Sequence, residues 1–208
     1  MITPDQAATF ERCMAVGGVA LFGADTVYGL ACDPGNDEAV RRLYAIKRRR
    51  PDRPAAVMFF SRELALAALP EVGPRTVAGL EALLPGGVTV LLPNPLRRYP
   101  LACGPDPDAP LGLRVPALGP AAAGLAAVRW PVLQSSANLS GEPEARRLED
   151  VAAVVRDDVD LVLDAGELAG RASTVIDLRR YEDDGHWEIV REGAVSPGCV
   201  EAALGALG

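Results

Sequence analysis

Apolar positions recur at helical spacing through the first fifteen residues, and the segment opens Thr3-Pro4-Asp5-Gln6, a capping box with proline in the first turn. This predicts a helix from about Pro4 to Val16, ended by Gly17-Gly18. Val19 to Phe22 has no polar position and reads as a short buried strand. A polar loop at Gly23 to Thr26 leads into Val27-Tyr28-Gly29-Leu30. A second helix is expected from Asp37 to about Arg48, capped by Asn36 and blocked from continuing by Pro51. The pattern then predicts a strand at 55–60, a helix capped by Ser61 running toward Leu69, a helix at 74–84 and a strand at 88–92. Proline crowds the stretch from Pro93 to Pro110, the mark of a long irregular connection. Strands at 111–115 and 132–134 flank an alanine-rich helix near 120–128. The last third gives a helix at 148–156, strands at 161–163, 174–178 and 187–191, and a closing helix from about Pro197.

Strands and helices alternate with no repeat and no evident linker, which predicts one α/β domain over residues 1–208 built on a mixed sheet. At 208 residues the chain is long enough to bury a substantial core. No apolar run approaches the roughly 18 residues of a membrane helix. The opening MITPDQAATFERC lacks a basic stretch followed by an apolar one, so no signal peptide is expected and the predicted location is the cytoplasm. Cys13, Cys32, Cys103 and Cys199 form no C-x-x-C pair and are expected to be reduced, buried thiols. The single histidine, His186, lies in a polar hairpin turn and is expected at the surface; one histidine removes both a His-rich metal site and any catalytic triad that does not pass through it. A formal charge of −7 argues against a dominant nucleic-acid role, while leaving room for a local basic site.

Several positions could carry chemistry. At about 100° per residue, Val40, Leu43, Tyr44 and Ile46 share one helical arc, Lys47 falls inside it, and Arg41, Arg42 and Arg49 point elsewhere. Lys47 has two readings: a stem covering apolar surface with its ammonium on the last helical carbonyls, or a functional cation. Gln134-Ser135-Ser136-Ala137-Asn138-Leu139-Ser140-Gly141 follows an apolar strand, where α/β proteins bind ligands. Its hydroxyls and amide suit phosphate or ribose oxygens, and equally suit turns that satisfy their own backbone. Asp25-Thr26, Arg114 and Ser173-Thr174 stand at other strand ends. No Gly-Lys pair and no G-x-G-x-x-G occurs, so a nucleotide site here would be neither a P-loop nor a Rossmann crevice.

Taken in order, these strings resemble the YrdC family. Ala24-Asp25-Thr26-Val27-Tyr28-Gly29-Leu30 is similar to its PTDTVYGL signature, and Lys47-x-Arg49 with Pro51 and Pro54 to its K-x-R-P…P element. Leu84-Pro85-Gly86-Gly87-Val88-Thr89 resembles WPGPLT, Arg114-Val115-Pro116 matches R-x-P, and Ser136-Ala137-Asn138-Leu139-Ser140-Gly141 matches S-A-N-x-S-G. Ser173-Thr174-Val175-Ile176-Asp177 resembles STVVD and Val190-Arg191-Glu192-Gly193 resembles LRxG. Each string is common alone; the ordered set, from about Gly17 to Val195, is specific.

The resemblance implies a YrdC-like twisted mixed sheet with flanking helices and a concave basic cleft. It implies an L-threonylcarbamoyladenylate synthase that makes threonylcarbamoyl-AMP and pyrophosphate from L-threonine, bicarbonate and ATP with Mg²⁺. The product would serve position 37 of tRNA, after handover to a tRNA threonylcarbamoyl transferase complex. By the same resemblance Lys47 and Arg49 are the catalytic cations on triphosphate and carbamate. Lys47, Thr89, Ser136, Asn138 and Arg191 hold the nucleotide, and Thr26, Arg49, Arg114 and Ser173 hold threonine and carbamate. The metal is carried by ATP, with no protein site expected. The length implies a form without the extra C-terminal domain of longer members.

Two departures stand out: Gly23-Ala24 in place of Pro-Thr, which removes a hydroxyl expected beside threonine, and Met58 where relatives often carry a polar residue. Two other readings remain: a relative forming carbamoyl-AMP from carbamoyl phosphate, and a non-catalytic module with weak RNA or ribosome contact through the basic run at Lys47 to Arg53.

Overall fold

The computed structural model describes residues 1–50 and 52–207; the Pro51 helix stop lies outside them. The predicted N-terminal capping box forms: the Thr3 backbone N–H donates to Gln6 Oε1 at 2.9 Å, Thr3 Oγ1 accepts from the Gln6 N–H, and α1 runs Pro4–Ala15. β1 (Ala20–Gly23) follows, then β2 (Tyr28–Cys32) and α2 (Asp37–Ile46), capped by Asn36 Oδ1 accepting from the Ala39 N–H at 3.0 Å. Next come β3 (Ala56–Met58), α3 (Arg62–Ala68), α4 (Pro74–Leu83), β4 (Val88–Leu92), a single turn α5 (Pro100–Cys103) and β5 (Leu111–Arg114). β6 (Val132–Ser136), α6 (Ala153–Asp157), β7 (Leu161–Leu163), β8 (Thr174–Arg180), α7 (Tyr181–Asp184), β9 (His186–Arg191) and α8 (Pro197–Gly205) complete the order.

Nine strands among the described residues form one mixed sheet in the order β7-β1-β2-β6-β3-β5-β4-β8-β9. Three neighbouring pairs, β1/β7, β3/β5 and β4/β8, are parallel and the others antiparallel. The predicted fold class is what forms. β1 and β2 are buried at every position because both faces of the sheet are covered, which is why they read as continuous apolar runs. Alternation along the strands divides the core into two clusters: Leu21, Leu30, Val57 and Leu133 face the helices α2, α4 and α8, while Ala20, Phe22, Ala31 and Val132 face α1. On the α1 side Phe10, Phe22 and Phe60 pack ring against ring, with Phe10 centroids 5.3 and 5.7 Å from the other two.

The differences from expectation have local causes. Val27-Tyr28-Gly29-Leu30 opens a strand, β2, whose fourth and fifth residues, Ala31 and Cys32, extend it beyond the recognised string. The alanine-rich segment Pro120–Ala127 winds as a 3₁₀ helix, and the expected helix at 148–156 splits into a 3₁₀ turn at Leu148–Asp150 and the short α6. The first of the two lies against α1, where the Ile2 N–H donates to Ala121 O and Gly124 meets the Ile2 carbonyl closely, so packing overrides the α preference of alanine. β8 and β9 run longer than predicted because they pair with each other; a helical turn, α7, and Gly185 at φ +74° join them, and His186 is exposed. Cys32 and Cys103 are buried, but Cys13 is only partly covered and Cys199 is exposed in the first turn of α8, so the expectation of four buried thiols fails for those two. No helix of the described residues is long and apolar enough to cross a membrane.

Phe10→Ala should cost about 3–5 kcal/mol of stability, since it deletes the centre of a ring cluster that cannot collapse. Chemical denaturation would show it as a lower midpoint at unchanged slope.

Candidate active site

Strand register brings distant residues to one end of the sheet. Thr89 pairs with Val175, Val175 pairs with Arg191, and Met58 pairs with Arg114. On the other side Gly29 pairs with Ser136 at the end of β6. The strand ends border a cleft of about 270 Å³ lined by Arg49, Thr89, Arg114, Ser136, Ser173 and Arg191, with Val27, Ala56, Leu91 and Val175 as apolar wall. Gln134, Ser135 and Glu144 line it too, Glu144 being the one carboxylate among its described lining residues. Six of the nine residues singled out from the sequence therefore share one space.

Lys47, Asn138 and Thr26 do not line the cleft; they stand behind its wall. Lys47 is 2% exposed, and its ammonium donates to Ser136 O, to Asn138 O at 2.7 Å and weakly to Asn138 Oδ1 at 3.4 Å. The Ser140 N–H returns a bond to Lys47 O at 3.0 Å. The loop after β6 is thus tied to the end of α2 through both the side chain and the backbone of one residue. Neither sequence reading anticipated these carbonyls, which belong to another segment. Asn138 spends its amide inside the loop, accepting from Ser136 Oγ at 2.6 Å and donating to Glu142 O.

α2 stops at Ile46, two residues earlier than expected, and Arg48 takes φ +49°. That reversal turns Arg49, expected to point away, into the cleft wall, where Nη2 donates to Pro54 O at 2.7 Å. Its guanidinium lies 5.9 Å from the centre of the Tyr44 ring, and its Nε is buried without a partner.

Arg114 forms a buried ion pair with Asp25, Nη2 to Oδ1 at 2.8 Å, with side chains 5% and 7% exposed. Nη2 also reaches Thr26 Oγ1 at 3.3 Å, and Asp25 Oδ2 accepts from the Ala117 N–H. Burial lowers the pKa of Arg114, and Asp25 opposes the shift. Arg114 Nε has no partner, so part of the fork remains for a ligand. Beside it Thr89 Oγ1 and Ser173 Oγ are 2.8 Å apart, and Arg191 Nη2 donates to Ser173 O at 2.8 Å. No group of three His, Cys, Asp or Glu residues converges among the described residues.

Sequence reasoning passed over one support. Tyr28 is fully buried; its hydroxyl donates to Asp164, lies 2.9 Å from Gly166 O and accepts from the Ala165 N–H, and burial with the Asp164 bond raises its pKa. It fixes the 164–170 loop, whose Gly170 N–H meets Thr26 O. The departure at Gly23-Ala24 also acquires a structural meaning. A Cβ on Gly23 would lie 2.8 Å from Ala165 Cβ, and Ala24 faces a separate hollow beside Ala117 and Leu168, not the cleft. Met58 is buried in the α1-side core, where a polar group would need a partner.

The Sua5/YciO/YrdC family model, described as "Telomere recombination", matches residues 12–193. The chain belongs to this family. Among its relatives, the threonylcarbamoyl-AMP synthase of Xanthomonas campestris pv. campestris (strain B100) is 35% identical over 175 residues, covering 82% of this chain and 90% of the relative. That of Chromohalobacter salexigens is 33% identical over 192 residues, 86% of this chain and 96% of the relative. The crystal structure of P. abyssi Sua5 complexed with L-threonine is similar at TM-score 0.82 and 24% identity, covering 99% of this chain. The chain spans 59% of that protein, and the likeness is one of fold. In this Sua5/YciO/YrdC chain, the family strings divide into residues that line the cleft and residues that brace it.

Lys47 is the only lysine in the chain. Burial lowers its pKa to about 8, aided by the Arg49 charge and opposed by Glu144. An unfolded lysine keeps its proton to about 10.4. Between about pH 8 and 10 the unfolded chain therefore binds more protons, and stability relative to Lys47→Met should rise with pH across that window. Selective carbon-13 lysine labelling gives a single side-chain signal; its midpoint is expected near 8, whereas a midpoint near 10 would mean an ammonium open to water.

Proposed function

We propose that this chain is an L-threonylcarbamoyladenylate synthase, a cytoplasmic nucleotidyltransferase that makes threonylcarbamoyl-AMP and pyrophosphate from L-threonine, bicarbonate and ATP. The observation that supports it most is the meeting of Arg49, Thr89, Arg114, Ser136, Ser173 and Arg191, drawn from six separate family strings, in one cleft. The relatives named threonylcarbamoyl-AMP synthase and the L-threonine of the Sua5 complex point to the same substrate.

Transfer of an adenylyl group requires charge neutralised at the phosphates and reactants held in line, with little covalent help from protein. Three guanidinium groups facing one carboxylate suit that task. Arg49 takes the triphosphate and the carbamate. Thr89, Ser136 and Arg191 hold the nucleotide, and Lys47 acts from behind by fixing the carbonyls of Ser136 and Asn138. Arg114, with its unpartnered Nε, takes the carboxylate of threonine, and Ser173 lies beside it. Thr26 and Asp25 orient Arg114. Magnesium would arrive on the triphosphate and supplies further charge neutralisation there. The adenylate would then pass to a transferase that modifies position 37 of tRNA.

Purified protein with Mg-ATP and labelled bicarbonate should release pyrophosphate in the presence of threonine and yield threonylcarbamoyl-AMP. Turnover from carbamoyl phosphate instead would support the carbamoyl-AMP reading, and salt-sensitive RNA binding without ATP affinity would support the non-catalytic one. Arg49→Ala should lower kcat/KM on the order of 100-fold. Arg114→Lys, which keeps the charge and loses the fork, should raise the threonine KM with little change in ATP affinity.

A further inference from the structure

Glu144 is an anionic group in a cleft whose other charged lining residues are arginines. It falls outside every family string, three residues beyond Gly141, where the string at 136–141 ends. Among the described residues its carboxylate forms no ion pair and no side-chain hydrogen bond, although Arg49, Arg114 and Arg191 line the same small space. Asp25, by contrast, is committed to Arg114 and the Ala117 N–H. A carboxylate beside a triphosphate site repels the phosphates unless it meets a cation. It is half-buried and near enough to Lys47 to act on that ammonium through space, so its charge is felt within the site.

We propose that Glu144 binds the ammonium group of the amino-acid substrate, opposite the carboxylate held by Arg114. An amino acid is a zwitterion whose charges lie a few ångström apart. A cleft of about 270 Å³ offering a partly unpartnered guanidinium and an unpaired carboxylate matches that pattern. Arg114 alone accepts any small carboxylic acid; the pair selects α-amino acids and places the amine where the carbamate nitrogen must be. This rests on the synthase reading and names a further substrate-binding residue for it.

The test compares threonine with 3-hydroxybutyrate, the same molecule without its amine, by direct calorimetric binding in the presence of ATP. Glu144→Gln should weaken threonine binding roughly 10- to 100-fold, the range of a lost charge-assisted hydrogen bond, and leave 3-hydroxybutyrate unchanged. Glu144→Asp should recover part of the loss. Equal threonine affinity in wild type and Glu144→Gln overturns the assignment. So does a loss confined to Mg-ATP affinity, which would make the carboxylate a metal partner. Equal weakening of both acids would show a collapsed cleft and also overturn it. If wild type binds neither threonine nor its desamino analogue, the synthase reading itself fails, and that result is distinct from a failure of Glu144 alone.

Discussion

An ammonium sealed inside a protein must be surrounded by oxygen, and the burial of Lys47 imposes that requirement on two segments at once. Its own helix ends at Ile46, so the acceptors come from elsewhere, from Ser136 and Asn138 of the loop after β6. The loop is consequently fixed against the end of α2, and the Ser140 N–H completes the clamp on Lys47 O. Apart from His186, every other basic residue in the chain is arginine. A compact ammonium with three donors suits a narrow seat among carbonyls, and a planar guanidinium does not.

The second buried charge has a different design. Arg114 is neutralised by Asp25, which is itself held by the Ala117 N–H, so β5, the loop before β2 and the segment after β5 converge on one ion pair. Such a pair contributes little net stability, while breaking it by removing one partner is strongly destabilising. Its usefulness lies in orientation: one terminal nitrogen is committed to Asp25, and Arg114 still lines the cleft. Tyr28 performs a parallel service for the 164–170 loop, whose Gly170 N–H fixes Thr26 in turn. Arg114 and Ser136, two polar residues of the cleft wall, are thus braced by the buried Asp25 and Lys47. Mutations of the braces would disturb binding without touching a ligand.

Chains that use the same family strings can differ in what lies between them. Gly23 and Ala24 stand where the resemblance places a rigid and a hydroxyl-bearing residue; Ala165 packs against Gly23, and Ala24 lines a hollow with Ala117 and Leu168. The substitution is absorbed on the far side of Asp25, away from the cleft. Glu144, within no string, is the residue that gives the cleft its second sign of charge.

Local physics was legible in the sequence. The caps at Thr3, Asn36 and Ser61, the fully apolar run of β1, and the inward arc of α2 follow from hydrogen bonding and periodicity over a few residues. The ordered strings also named six of the residues that line the cleft. Tertiary structure decided the rest. Only strand register sets Thr89, Ser173 and Arg191 side by side, and only the φ +49° turn at Arg48 brings Arg49 to the wall. Whether Lys47 faces a ligand or its own scaffold depends on carbonyls some ninety residues away, and the pairing of Arg114 with Asp25 is as distant. A sequence states which side chains carry charge; which charges meet is settled by long-range packing, which local pattern does not encode.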